Sequence, residues 1–246
     1  MKRDLIFDIG LHKGLDSNFY LRKGFDVVGL EAVQSLCDLA SSLNKNYLDS
    51  GKFHIVNKAL FYRSNETVEF YVNDEKDDWG SLFQNAAEKG VGSSRRVVVD
   101  TITLNELIDN YGVPYYIKCD IEGGDAIFAE QLLKVVEIPR FVSLEATRAD
   151  DIALLRAAGY DRFQLVNQYL NPFTRVVNPP KEGGFADLTF THEMSGLFGL
   201  ELPSSHWCDF SQAIEMFVDW YNLRNRNPNL AIGWLDVHAC RSENIG

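Results

Sequence analysis

Leu5-Ile6-Phe7-Asp8-Ile9-Gly10-Leu11-His12-Lys13-Gly14 decides how this chain is read. Its apolar run ends in an acid, a glycine follows, and a second glycine comes just before a segment with helical character. That succession is strand, tight loop and helix start. In an open α/β sheet, ligands sit in the crevice beyond the carboxyl ends of the strands, so Asp8 to Gly14 is expected to floor a site.

The glycine spacing narrows the ligand. Dinucleotide folds use a G-x-G-x-x-G turn, because a pyrophosphate must approach bare backbone at a helix N-terminus. Here the glycines are Gly10 and Gly14, and His12 stands where the middle glycine would be. A phosphate cradle is disfavoured. A G-x-x-x-G loop preceded by an acid suits a cofactor that lacks phosphate and carries positive charge, such as S-adenosylmethionine (SAM). Asp26-Val27-Val28-Gly29-Leu30-Glu31 reads as a second strand ending in a carboxylate. It lies roughly 20 residues past the loop, where Rossmann-like folds hydrogen-bond a ribose diol. The bland alternative is a tight βα turn at Gly10 and Gly14, with Glu31 a solvated strand end.

At 246 residues the chain has room for one sizeable α/β domain with an embellishment. Its 46% hydrophobic and 24% charged content is ordinary for a globular protein. The net charge of −11 argues against a nucleic-acid partner or an anionic membrane surface, since phosphate binding needs clustered Lys and Arg. No segment reaches the roughly 20 apolar residues of a membrane span. Residues 1–4 lead straight into a strand rather than a signal-peptide core, so a cytoplasmic location is expected. Cys37, Cys119, Cys208 and Cys240 are scattered without a C-x-x-C pair, which implies buried reduced thiols rather than a zinc site or disulfides.

Along the chain, Asp16 to Lys23 is an amphipathic helix stopped by Gly24, Ala32 to Tyr47 a second helix and Phe53 to Leu60 a third strand. The resulting βαβαβ unit is half of a doubly wound sheet. Thr67 to Val72 alternates like a half-exposed strand, and Arg95 to Thr101 is extended; an antiparallel excursion off the main sheet is expected. Within it, Asp77-Asp78-Trp79-Gly80-Ser81-Leu82-Phe83 has the make-up of a loop that closes over a ligand, or of a surface loop pinned by its aromatics. Thr103 to Glu106 fits a capping box. Tyr115 to Asp125 runs an apolar-leaning strand into Asp120, Glu122 and two glycines, ahead of a helix from Ala126 to Val136. Arg140 to Ala146 is another strand, ending at Glu145. Asp8, Glu31, Asp120 with Glu122, and Glu145 therefore fall at the carboxyl ends of strands expected to be parallel and adjacent. Arg162 to Val166 and Ala186 to Phe190 read as a hairpin that gives the sheet an antiparallel edge. Phe210 to Leu223 is a helix whose stripe of Phe217, Trp220 and Tyr221 is expected to be core packing.

Asp8 to Gly14, Gly29 to Ala32, Thr101 to Leu104, Ile117 to Gly123 and Val142 to Glu145 resemble, in order and spacing, the FkbM-type methyltransferases. The likeness runs over roughly residues 4–163, and its most specific piece is the Asp120-Ile121-Glu122-Gly123 strand end. The resemblance implies a class I methyltransferase fold: a Rossmann-like, doubly wound, mostly parallel seven-stranded sheet with one antiparallel strand, here with a C-terminal helical elaboration. A SAM-dependent methyltransferase domain is expected over 1–193, with a C-terminal extension over 194–246 packed on the same domain. The resemblance further implies O-methylation, often of a hydroxyl on a sugar or polyketide. Asp8, Gly10 and Gly14 would wrap the methionine part of SAM, Glu31 the ribose, and Asp120 the amino group or reacting methyl. His12 and Lys13 depart from the commonest loop form, which leaves the acceptor open.

A hydroxyl is a poor nucleophile until its proton is leaving, so a general base is expected among His12, Asp120, Glu122 and Glu145. Asp120 and Glu122 alternate and would face opposite sides if strand geometry persisted. Mg²⁺ or Ca²⁺ on Asp120, Glu145 and their neighbours is a second route to an activated hydroxyl, although the spacing requires no metal. His192, His206 and His238 are expected to be packed or surface residues. The competing readings are an NAD-dependent oxidoreductase, favoured by Glu31 and opposed by the missing glycine, and a non-catalytic methyltransferase-like binding module. A small-molecule or carbohydrate acceptor is the expected partner. Monomer and homo-oligomer are equally open.

Overall fold

The computed structural model describes residues 2, 4–76, 79–89, 92–227 and 232–245; Asp77 and Asp78 of the loop singled out above lie outside the described residues. The apolar run before Gly10 is β1 (Leu5–Ile9), followed by α1 (Leu15–Arg22) and β2 (Asp26–Leu30). The single helix expected over Ala32 to Tyr47 divides at Asn44 into α2 (Gln34–Leu43) and α3 (Lys45–Asp49). The Asn44 side-chain amide donates to the carbonyls of both Gly14 and Ala40, at 3.1 Å each, and so ends α2 while joining it to α1.

The extended run from Phe53 also divides, into β3 (Phe53–Val56) and the two-residue β4 (Ala59–Leu60). β4 leaves the main sheet. With β5 (Thr67–Asn73) and β6 (Ser94–Ile102) it forms a small sheet of order β4-β6-β5, β5 and β6 antiparallel, and α4 (Gln84–Glu88) lies in their connection. This is the expected excursion. Thr103 then caps α5 (Leu104–Tyr111) by accepting the Glu106 N–H at 3.2 Å. The order continues β7 (Tyr116–Cys119), α6 (Asp125–Leu132), β8 (Phe141–Glu145), α7 (Ala149–Ala157), β9 (Arg162–Asn167), α8 (Phe210–Arg226) and β10 (Leu235–Cys240).

The main sheet has seven strands in the order β3-β2-β1-β7-β8-β10-β9, and only β10 is antiparallel to its neighbours. The antiparallel strand thus comes from the end of the chain and inserts between β8 and β9, not from a hairpin with Ala186 to Phe190. That segment makes a single isolated bridge, Thr189 to Arg175. The chain on either side of it is anchored on Lys23: the Gly184 N–H donates to the Lys23 carbonyl at 2.6 Å, the Lys23 ammonium donates back to the Gly184 carbonyl at 3.1 Å, and Lys23 pairs with Glu201 at 2.7 Å with both side chains fully buried. Ala186, Phe190, Met194 and Phe198 pack with Phe19 and Tyr20 of α1, making a strap over one face of the sheet. α5 to α8 cover the other face, where Phe7, Ile9, Ile117, Val142, Leu144 and Val237 meet Leu107, Phe128, Ile152 and Phe217. Both faces are covered, as a parallel sheet requires. Among the described residues no helix is long and apolar enough to cross a membrane.

Candidate active site

The loop after β1 takes its shape from the strand beside it. Gly10 has φ +81°, and a Cβ there would lie 1.8 Å from the backbone oxygen of Asp120. No other residue type fits so close to the end of β7. The N–H groups of Gly10 and Leu11 both donate to the Leu30 carbonyl at 3.0 Å, drawing the loop against the end of β2. His12, at φ +51°, turns its backbone N–H to Glu31 Oε2 at 2.9 Å, while the Val33 N–H reaches Oε1 at 2.9 Å. Burial raises the Glu31 carboxyl above its usual range, and these two donors pull it back toward the ionised form. Each oxygen keeps acceptor capacity for a ligand hydroxyl. Gly14 (φ +78°) serves a different contact: a Cβ would lie 2.9 Å from the Ala40 Cβ and the Asn44 amide, so it lets α1 approach α2.

Under this loop a polar row crosses the sheet in register, from Asp8 on β1 to Lys118 on β7, Ser143 on β8, His238 on β10 and Gln164 on β9. Asp8 is wholly buried, accepts from Ser17 Oγ at 2.7 Å and lies 3.4 Å from the Lys118 ammonium. Burial raises its carboxyl, against the pull of Lys118 and Ser17. Lys118 also donates to the Gly10 carbonyl at 2.9 Å and stands 3.8 Å from both Asp16 and Asp120. Burial alone would lower the lysine, but Asp8, Asp120, Asp16 and Asp236 hold it charged, well above its usual range. Asp16 accepts the Ser195 N–H through both oxygens, at 2.9 and 3.1 Å, which ties the strap to α1; burial lifts it to about 7 against the opposing charge of Lys118. Burial with no partner charge drops His238 to about 3.

β7 ends at Cys119, and the backbone then turns sharply, with Glu122 at φ +48°. The strand geometry that would have separated Asp120 from Glu122 does not continue. The turn instead brings the two together with Glu145 from β8, one carboxylate oxygen of each within 4.8 Å of the others. Ser81 Oγ donates to the Glu122 carbonyl at 2.6 Å and fixes the turn, and Lys89 pairs with Glu122 at 2.7 Å while lying over the Trp79 ring. Burial first and then the negative charge of Asp120 raise Glu122 to about 8, with Lys89 opposing. Burial and Asp120 likewise raise Glu145 to about 7, against Lys89 and Arg224. Three oxygen donors of this kind also form a set that could hold a hard divalent cation.

All of this faces a cavity of about 690 Å³. Its lining includes the apolar Val33, Leu36, Leu60, Phe70 and Leu82, the loop and strand-end residues Gly10, His12, Glu31 and Asp120, and Glu122, Glu145, Tyr169, His192, Arg224 and Trp234. Of the residues expected at the site, Gly10, His12, Glu31, Asp120, Glu122 and Glu145 line the cavity, whereas Asp8 and Gly14 lie behind it. His192, expected to be a packed or surface residue, is exposed and lines the cavity, against the Tyr169 ring. Lys118, Asp16, Asp236, Lys89 and Trp234 also line it, and the sequence reading assigned them no role. For Lys118 a signal was available: a lysine in the apolar strand Tyr116–Cys119 needs a counter-charge, and Asp8 is its partner in register.

A doubly wound sheet of order β3-β2-β1-β7-β8-β10-β9, with its one reversed strand second from the edge and acids at the ends of β2, β7 and β8, defines a class I methyltransferase fold. The sequence model described as Methyltransferase FkbM domain matches residues 8–170. The chain belongs to that family. Its fold is similar to a precorrin-6Y C5,15-methyltransferase from Geobacter metallireducens GS-15, at 10% identity and a TM-score of 0.41 over 98% of this chain and 80% of that one. A methyltransferase FkbM from Methylobacillus flagellatus KT matches at 16% identity and a TM-score of 0.38, over 65% of this chain and 39% of its own length. A SAM-dependent O-methyltransferase from Thermotoga maritima matches at 8% identity and a TM-score of 0.42, over 98% and 60%. Among curated protein sequences none matches.

Proposed function

We propose that this chain is a SAM-dependent O-methyltransferase whose acceptor is a hydroxyl on a sugar or another hydroxylated small molecule. The supporting observation is the meeting of Asp120, Glu122 and Glu145 in a cavity that is also lined by Glu31 and by apolar residues suited to a nucleoside. SAM fits the residues present. Val33, Leu36 and Leu60 would flank the adenine, Glu31 would take the ribose hydroxyls, and the bare backbone at Gly10 with Asp120 and Asp16 would receive the positively charged methionine end. When bound, SAM supplies a methyl group on a cationic sulfur with a neutral thioether to leave. The protein's share is alignment and proton removal. Asp8 and Ser17 hold Lys118, and Lys118 holds the Gly10 carbonyl, so the floor is set before any ligand enters. Glu145, raised to about 7, takes the acceptor's hydroxyl proton at its carboxylate, and Glu122 and Lys89 set the charge around it. In this reading the transfer domain of residues 1–193 is completed by 194–246, which pack on it and supply the strand β10 to its sheet.

Calorimetric titration with S-adenosylhomocysteine, followed by transfer of labelled methyl from SAM to a panel of hydroxylated acceptors, tests the proposal. Glu145→Gln should keep the homocysteine ligand and lose about 10²- to 10⁴-fold in transfer rate. Absence of cofactor binding by well-folded protein would overturn the reading. A second reading keeps the reaction and places a divalent cation on the same three carboxylates to activate the hydroxyl. Transfer that persists in excess EDTA excludes the cation route, and abolition restored by Mg²⁺ establishes it.

A further inference from the structure

We infer that the notch between α8 and β10 is a second acceptor subsite, shaped for a sugar ring adjoining the one that is methylated; this rests on the O-methyltransferase reading above. The notch is a separate cavity of about 110 Å³ beside the main one. The two share Glu145, Arg224 and Trp234, so the carboxylate proposed to take the proton stands where they meet.

The walls follow from helical spacing. Phe217 of α8 is buried in the core, and Trp220, Tyr221 and Arg224 stand three, four and seven residues further on, along the same side of the helix. The aromatic stripe expected to be core packing is graded: Phe217 is buried, Trp220 packs half-buried against the same core and also lines the notch, and the exposed Tyr221 lines the notch beside it. Across from them Trp234 immediately precedes β10, its carbonyl accepting the Gln168 N–H at 3.0 Å, and the next residue, Leu235, accepts the Ala146 N–H at 2.9 Å. Arg224 lies over the Trp220 ring at 5.4 Å. The walls are thus largely set in advance, by aromatic side chains that lose little rotamer freedom on binding.

Their chemistry selects the occupant. Two indoles and a phenol offer flat apolar faces, while a guanidinium and a carboxylate offer donors and an acceptor beside them. A purely apolar occupant would leave Arg224 and Glu145 desolvated without partners. An anionic occupant would meet Glu145 with Asp120 and Glu122 close by, in a chain of net charge −11. A neutral ring with apolar faces and hydroxylated edges satisfies both walls. The acceptor is then a glycoside of at least two rings. Glu145, Ala146 and Thr147 of the notch lie within residues 8–170, and its aromatic residues, Arg224 and Leu235 lie beyond, so the subsite joins the matched region to the part of the chain that follows it.

The test is calorimetry on the full chain saturated with S-adenosylhomocysteine, using methyl glycosides of glucose, galactose, mannose and rhamnose and disaccharides containing each. At least one disaccharide should bind about tenfold or more tighter than its component methyl glycoside. Trp220→Ala and Arg224→Ala should each remove that advantage while leaving S-adenosylhomocysteine affinity unchanged. Arg224 is exposed, so its variant reads the subsite even if Trp220→Ala disturbs α8. The inference is overturned if the cofactor product binds but no disaccharide outbinds its component, or if both variants keep the advantage. Failure of S-adenosylhomocysteine to bind wild-type protein would instead bring down the cofactor reading on which the subsite rests.

Discussion

Gly10 carries more of the site than any side chain, because the end of β7 leaves it no room for one. Gly10→Ala must move the Asp120 backbone by more than an ångström or break the loop, and it adds the cost of a left-handed φ for a residue with a Cβ. We expect a loss of about 2 kcal/mol or more, read as a lowered urea midpoint, together with loss of cofactor binding. An unchanged midpoint would show that the loop yields freely. Gly10 was legible in the sequence because a strand, an acid and a glycine have a local meaning. Glu31, Asp120, Glu122 and Glu145 were legible for the same reason, each lying at a strand's end or within three residues beyond it. The role of Asp8 was not, since position at a strand end does not say which face a side chain takes. Asp8 lies on the face shared with Lys118 and is spent on the ion pair that fixes the floor. The approach of Asp120 to Glu122 was equally hidden, for it depends on the turn at Glu122 and not on strand alternation.

At the scale of elements, the small sheet and the last strand do what the order of the main sheet cannot. β5, β6 and α4 bring Ser81 and Lys89 over the carboxyl ends of β7 and β8, where Ser81 fixes the turn and Lys89 faces both glutamates. Lys89 opposes the raised proton affinity of Glu122 and Glu145, so Lys89→Met should move the acid limb of the transfer-rate profile to higher pH. The fall in rate should start earlier as pH is lowered, while S-adenosylhomocysteine affinity stays near wild type. An unmoved limb would mean that neither glutamate is the base. β10 eluded the sequence for a physical reason. Its residues, Leu-Asp-Val-His-Ala-Cys, alternate apolar side chains with an acid and an imidazole, the pattern of a half-exposed strand, yet all six are buried, so no unbroken apolar run marks the interior strand they form. Ala186 to Phe190 looks more like a strand, but its apolar side chains are spent on α1, and the Asp187 carbonyl accepts from the Arg22 guanidinium at the end of that helix.

The whole molecule concentrates acids where burial resists their ionisation, and this sets how its stability responds to pH. Asp16, Glu122 and Glu145 are raised to about 7, 8 and 7, whereas in the unfolded chain carboxyls titrate near 4. Above that ordinary range the folded state binds more protons than the unfolded state, so stability falls as pH rises toward 7 and 8 and recovers as it is lowered. His238 acts with the opposite sign. Held neutral in the fold and lowered to about 3, it favours unfolding once the unfolded histidine takes up a proton, below about pH 6.5. Between pH 6.5 and 8.5 the carboxylates therefore act almost alone, and the melting temperature of the ligand-free protein should drop steadily across that interval. Glu122→Gln and Glu145→Gln each remove one of the groups responsible, so each should flatten the slope and raise the melting temperature at pH 8.5 more than at pH 6.5. A wild-type melting temperature that rises from pH 6.5 to 8.5 would mean that Lys89, Lys118 and Arg224 already offset the cluster. The acids would then cost the fold nothing, and a base poised near neutrality could not come from their burial.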